Sequence, residues 1–312
     1  MKRHLIWSAA SIVIAAAVAV HAQAPKPYSP PRTENKQPDF QGLWATEFLT
    51  LLERPPDVQS LTLPPDQART FAAAFLAKRP PLTDPDTQIL GIDQLALVKG
   101  EYRTSLVVEP DGKMPLTEAG STLLTNVQTR ERQKFDNPEE RPLAERCLEN
   151  LTYAPIRTVP VLLVRQIVQT RDFVVISAED VPGPRIISLG SAAAPDWLRS
   201  IGGTSVGRWE GDALVVTTTN LRADVLSRSA AGRPILIGPK TVITERFTRL
   251  SDTELFYKFT VEDAELYTHP WSGEFSMTRY DGPILEYACH EANDSLTNML
   301  KGGRAQDAAP AK

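Results

Sequence analysis

The stretch 209–220 limits the fold most. Glu210, Gly211 and Asp212 separate Trp209 from the β-branched run Ala213-Leu-Val-Val-Thr-Thr-Thr-Asn220. Glycine accepts positive φ and aspartate bonds its own backbone, so the triplet is a turn. The uncharged run after it reads as a strand buried on at least one face. Similar units recur. Strands are expected at 160–169, 173–177, 185–189, 205–209, 213–219, 241–250, 254–261, 271–280 and 284–291. Arg171-Asp172, Pro182-Gly183-Pro184, Ser251-Asp252 and Asp281-Gly282 supply further turns. With no long helix between them, these strands form an antiparallel meander, which must bury one face or close on itself. The expected fold class is mainly β: a calycin/lipocalin-like barrel, with a two-sheet sandwich as the alternative.

Upstream the pattern changes. Residues 23–41 carry Pro25, Pro27, Pro30, Pro31 and Pro38 and read as a flexible or polyproline-like leader. Residues 42–150 read as a partly helical N-terminal region. It opens with a strand or an extended segment over 42–52. A helix follows over 66–78, capped by Thr62 or Asp66, with Ala68, Phe71, Ala72, Phe75 and Leu76 on one face. A short strand is expected at 102–108. A second helix over 118–134, capped by Thr117, shows a polar outer face. The β domain spans 151–293. Within 294–312, a short helix over 294–301 is expected to stop at Gly302-Gly303, before a disordered tail.

Residues 1–22 read as a signal peptide. Lys2 and Arg3 precede an apolar run over 5–20, and Val20-His21-Ala22 places small residues at the −3 and −1 positions. The run is short for a membrane span, no cysteine follows it for a lipid anchor, and no later stretch could cross a bilayer. The expected product is soluble, periplasmic or secreted, and cut after Ala22. Loss of Lys2 and Arg3 takes the formal charge from −4 to −6. That balance argues against nucleic acid and anionic membranes as partners. In an oxidising compartment the two cysteines, Cys147 and Cys289, are expected to pair, with buried free thiols as the alternative. Nothing in the pattern sets the oligomeric state or names a cofactor.

The chain contains Arg103-Thr-Ser-Leu-Val-Val-Glu-Pro-Asp-Gly-Lys-Met-Pro-Leu-Thr117, Glu145-Arg-Cys147, Gln166-Ile-Val-Gln169, Ser205-Val-Gly-Arg-Trp-Glu-Gly-Asp-Ala-Leu-Val-Val216, Glu245-Arg-Phe-Thr248, Tyr267-Thr-His-Pro-Trp271 and Glu286-Tyr-Ala-Cys-His-Glu-Ala-Asn293. On these motifs it resembles a family of uncharacterised secreted bacterial proteins. The resemblance covers about 38–293, and Asp263-Ala264 departs from the Asp-Pro of that pattern. It implies export and a β-rich domain, and hands over no catalytic residue.

Candidate chemistry gathers near the C-terminus. After cleavage only His269 and His290 remain. On a strand through 285–291, Leu285, Tyr287, Cys289 and Glu291 would share the inward face. An inward Glu291 with His290 suits acid–base work, with Arg246 and Asn293 orienting charge; the alternative has Glu291 pairing with Arg246. Tyr287, Trp271 and His269, with Arg246 and Asn293, are the candidate ligand-binding set. His269, His290 and Glu291 make a known metal-ligand set, but neighbours diverge on a strand, so no metal site is expected. Gly203-Thr-Ser-Val-Gly207 matches a nucleophile motif, with Asp263 and His290 in hydrolase order, yet it leads into strand rather than helix. Any of Arg165, Arg185, Arg208 or Arg246 that points inward needs an anionic partner. The function expected is binding of a small apolar or carboxylated molecule in a barrel pocket. The alternatives are a hydrolase, lyase or isomerase using Glu291 and His290, or an interaction module working through the Pro-rich arm.

Overall fold

The computed structural model describes residues 28–78, 92–133, 135–179, 183–190, 194–291 and 293–308. The expected signal peptide, the Pro182 turn residue and the last four residues lie outside them. In chain order the elements are β1 (Gly42–Thr46), β2 (Thr62–Leu63), α1 (Pro65–Ala77), β3 (Leu97–Val98), β4 (Glu101–Arg103), α2 (Glu118–Gln133), β5 (Leu163–Gln169), β6 (Phe173–Ala178), β7 (Arg185–Leu189), β8 (Thr204–Glu210), β9 (Ala213–Thr219), β10 (Ser227–Arg228), β11 (Ile235–Leu236), β12 (Val242–Arg249), β13 (Glu254–Glu262), β14 (Trp271–Arg279) and α3 (Asp294–Asp307).

Nine of these strands close into a barrel in the order β1-β14-β13-β12-β9-β8-β7-β6-β5. Eight joints are antiparallel and one, β7–β8, is parallel. Parity requires this: directions cannot alternate all the way round a ring of nine. The parallel joint needs a long crossover, supplied by residues 190–203. The expectation of a purely antiparallel meander is corrected there.

The ninth strand is also not the one expected. Residues 284–291 form no strand, and Tyr287 and Glu291 are exposed rather than inward. Their place beside β14 is already filled. β1 pairs with β14 at Trp44–Arg279 and Ala45–Thr278, and along its whole length with β5. The stretch of β14 that β1 does not reach is covered by 106–108, through Glu274 N–H to Leu106 O (2.9 Å) and Val108 N–H to Ser272 O (3.1 Å). No edge of β14 remains to template another strand.

The barrel interior is filled by its own side chains. Alternation points Ile243, Glu245 and Phe247 of β12 inward, with Leu255, Tyr257, Phe259 and Val261 of β13. Tyr257 lies 4.8 Å from Phe275, 5.0 Å from Phe247 and 5.8 Å from Phe259, ring to ring. Each such pair contributes about 0.5–1.5 kcal/mol beyond its buried area.

Both ends are covered. Residues 28–40 lie across the hairpin end, so the reading of a flexible leader does not hold for them. Tyr28 donates to Asp252 (2.9 Å), Arg32 pairs with Asp212, and Gln37 donates to Arg171 O (3.2 Å). Phe40 packs edge-on against Trp209 at 5.3 Å. At the opposite end, residues 152–156 plug the barrel mouth, all buried except the half-buried Tyr153.

The helices follow the sequence with two differences. Thr117 caps α2 as expected, accepting from Gly120 N–H at 2.9 Å. α1 instead starts after Pro64, with no side-chain cap. α3 does not stop at Gly302-Gly303 but continues to Asp307. A Cβ at Gly303 would collide with Phe135, so this glycine permits a close approach rather than a stop.

Candidate functional site at the barrel end

Two arginines, the buried Arg185 and the partly buried Arg157, separate the inert part of the molecule from the part with free chemistry. Arg185 on β7 reaches across the interior to Glu245 on β12. Its Nη1 donates to Glu245 Oε1 (2.9 Å) and Thr152 O (3.1 Å). Its Nη2 donates to Glu245 Oε2 and Thr218 Oγ1 (3.0 Å), and Nε to Ser205 Oγ (3.1 Å). All five guanidinium donors are used. Glu245 Oε1 also accepts from Tyr257 Oη at 2.8 Å, and Tyr257 Oη accepts from Ile156 N–H at 2.9 Å.

Burial alone would lower the Arg185 pKa, but the charge and hydrogen bonds of Glu245 outweigh it and the net direction is upward. Burial, then the Glu245 charge, pushes Tyr257 well above its ordinary value. The cluster therefore stays an ion pair with a neutral phenol. What it does is mechanical: it grips Thr152 O and Ile156 N–H, and so seats the 152–156 plug. Arg228 holds the same plug through Nε to Ala154 O (3.4 Å), with its pKa pushed down to about 10 by burial.

The residue after that plug is Arg157, and it faces a cleft. The cleft has a volume of about 360 Å³ and is walled by Leu151, Val159, Val161, Leu163, Tyr287 and the Cys147–Cys289 disulfide. Its charged groups are Arg157, Glu149 and Glu179. Both oxygens of Glu149 are engaged by Ser229, from N–H at 2.7 Å and Oγ at 2.6 Å. Glu179 Oε1 accepts from Leu285 N–H at 2.6 Å. The Arg157 guanidinium donates no hydrogen bond to any described residue. Its ion-pair partner among them, Glu149, stands 3.8 Å away, and its buried Nε has no partner among them either. The buried Nε is out of reach of the cleft, so the Nη groups of this side chain, which is 24% exposed, are what it presents to an acceptor.

The structure gathers part of the expected set. Cys147 and Cys289 are bonded, and Tyr287 lines the same cleft. Asn293 stands at its rim, with Nδ2 3.3 Å from Cys147 Sγ and Oδ1 accepting from Leu296 N–H (3.4 Å) as the α3 cap. The others lie elsewhere. His290 and Glu291 are exposed, and neither side chain bonds to a described residue. Arg246 is on the outer face, paired with Glu210 at 2.8 Å, not with Glu291. Trp271 is buried between Phe259 and Tyr267, each 5.6 Å away. His269 is exposed, its Nδ1 2.9 Å from Pro270 O. Ser205 belongs to the Arg185 cluster, while Asp263 accepts from Thr241 Oγ1 at 2.7 Å. Among the described residues no group of three His, Cys, Asp or Glu could hold a metal ion.

The buried Arg165 donates to the neutral oxygens Thr46 Oγ1 (3.1 Å), Leu163 O (3.3 Å) and Arg157 O, whereas Arg185 meets the requirement that an inward arginine find an anion. Its partner was legible: Glu245 sits between Ile243 and Phe247 at a spacing of two, a carboxylate on a core face. Arg157 had no such signal, because it lies in an irregular loop. No protein-family model matches the chain, and no curated protein matches it.

Proposed function

We propose that this chain is an exported, calycin-like binding protein, and that its ligand is a small apolar molecule with an acidic head. The head is held by Arg157 and the body lies along Leu151, Val159, Val161 and Leu163. The observation that carries the reading is the Arg157 guanidinium, without a hydrogen bond to a described residue, beside the apolar wall of a cleft of about 360 Å³. That volume suits a small ligand. With the interior filled, the end cleft takes the place of an axial pocket. Two motifs on which the resemblance to a secreted family rests, Glu145-Arg-Cys147 and Glu286–Asn293, meet at this cleft. The disulfide and the N-terminal apolar run support export.

The test compares 9-anthracenecarboxylate with its uncharged methyl ester, by fluorescence titration. The acid is expected to bind about tenfold or more tightly than the ester. Val161→Trp, which fills the cleft, abolishes binding of both while far-UV circular dichroism stays unchanged. Equal binding of acid and ester, or full binding by Val161→Trp, would sink the proposal.

A further inference from the structure

The strap formed by residues 281–291 is held against the cleft in an unusual way. It forms no strand, and Leu285 and Tyr287 are 65% and 56% exposed, so apolar burial does little to fix it. Its described attachments are the Leu285 N–H bond to Glu179 and the disulfide at Cys289. Beyond both ends the chain is anchored independently. β14 is a barrel strand, and α3 is seated by Gly303 against Phe135 and by Arg304 donating to Asp136 O at 2.8 Å.

The two sulfurs are not equivalent. Cys147 is buried, at 2% exposure, whereas Cys289 is partly exposed and sits on the strap. Asn293 Nδ2 lies 3.3 Å from Cys147 Sγ, placed to donate to a thiolate there. Attack is therefore favoured at Cys289, with Cys147 as the leaving group.

We propose that Cys289 is a thiol-exchange site through which a dithiol reductant opens the cleft. This rests on the binding reading of the cleft. One thiolate of the dithiol attacks Cys289 Sγ, forming a mixed disulfide and expelling Cys147 as a thiolate bonded by Asn293. The second thiol of the reductant, as thiolate, displaces Cys289. Both protein cysteines end as thiols once protonated, and the dithiol becomes a disulfide. The two protons and two electrons gained by the protein are those the reductant loses. The strap, with Tyr287, then leaves the cleft wall and the ligand escapes.

The experiment uses the full chain, oxidised and after dithiothreitol, with Cys289→Ser as a permanently open form. Hydrogen exchange over 281–291 is expected to speed at least tenfold on reduction, while β12, β13 and β14 keep their protection. Affinity for 9-anthracenecarboxylate is expected to fall at least tenfold in both open forms. Unchanged exchange over the strap overturns the latch, and so does loss of protection throughout the barrel, which would make the bridge a general staple. Faster exchange with unchanged affinity overturns the gating. If the probe binds neither form, the binding reading fails, and the gate built on it fails too; the exchange result then still decides the latch.

Discussion

Arg185 and Arg157 sit at opposite ends of one short connection. Arg185 grips Thr152 O, and Arg157 follows Ile156. The first has every donor satisfied by Glu245, Thr218, Ser205 and Thr152. The second has a carboxylate 3.8 Å away and no hydrogen bond to a described residue. A saturated buried ion pair has nothing left to offer a ligand, and losing one member leaves the other stranded. A guanidinium with no hydrogen bond to a described residue, beside an apolar wall, keeps bonding capacity for a ligand. The same residue type is thus structural in one place and receptive in the other, and hydrogen-bond completeness makes the difference.

Glu245→Leu attacks the comparison at its strongest point. It strands the buried Arg185 charge and is expected to cost about 3–5 kcal/mol in urea unfolding. Adding Arg185→Met should recover most of that loss. If Glu245→Leu alone leaves the urea midpoint unmoved, Arg185 is not held as described. Tyr257→Phe is next, at about 1–3 kcal/mol, because Ile156 N–H loses its acceptor. It also carries a pH signature. The folded pKa of Tyr257 is raised above its ordinary value of 10, so the folded state holds that proton more tightly than the unfolded chain. Its contribution is complete below about pH 10 and is lost as pH rises toward the folded pKa. The stability gap between wild type and Tyr257→Phe should therefore narrow above pH 10, and a constant gap would contradict the assignment.

Arg157→Gln sharpens the other side. It should bring the affinity for 9-anthracenecarboxylate down to that of the methyl ester, a loss of about 10–100-fold, from a charged hydrogen bond of about 1.5–3 kcal/mol. Ester binding should not change. The smallest effect belongs to Arg246→Ala. Arg246 pairs on the solvent face with Glu210, and neither the urea midpoint nor probe binding should shift measurably.

Strand positions were legible where turn chemistry and alternation agreed. Gly211 does take positive φ, at 60°, and β9 follows it. Alternation failed at 284–291 for a reason no local pattern carries. A strand exists only where an edge is free, and β1, with 106–108, had already taken the edge of β14. The parallel joint follows from the number of strands in the ring, which becomes countable only once β1 is known to be a member. Of the site, the disulfide could be read from compartment and composition, whereas Tyr287 was reached through an inward strand face that does not form. Arg157 could not be read, since its role depends on which neighbours lack an acceptor for it, and that is a property of the packed loop.

The position of β1 also sets an order of events. Its partners are β5, more than a hundred residues later, and β14, the last barrel strand. A chain that emerges N-terminus first presents β1 long before it has anything to pair with. The ring cannot close until residue 279 has appeared, and until then two sheet edges stand open. Such long-range closure is slow, and it concentrates aggregation risk in the final moments of synthesis. Cells that make this protein must keep it unfolded, or guarded, until its last strand arrives.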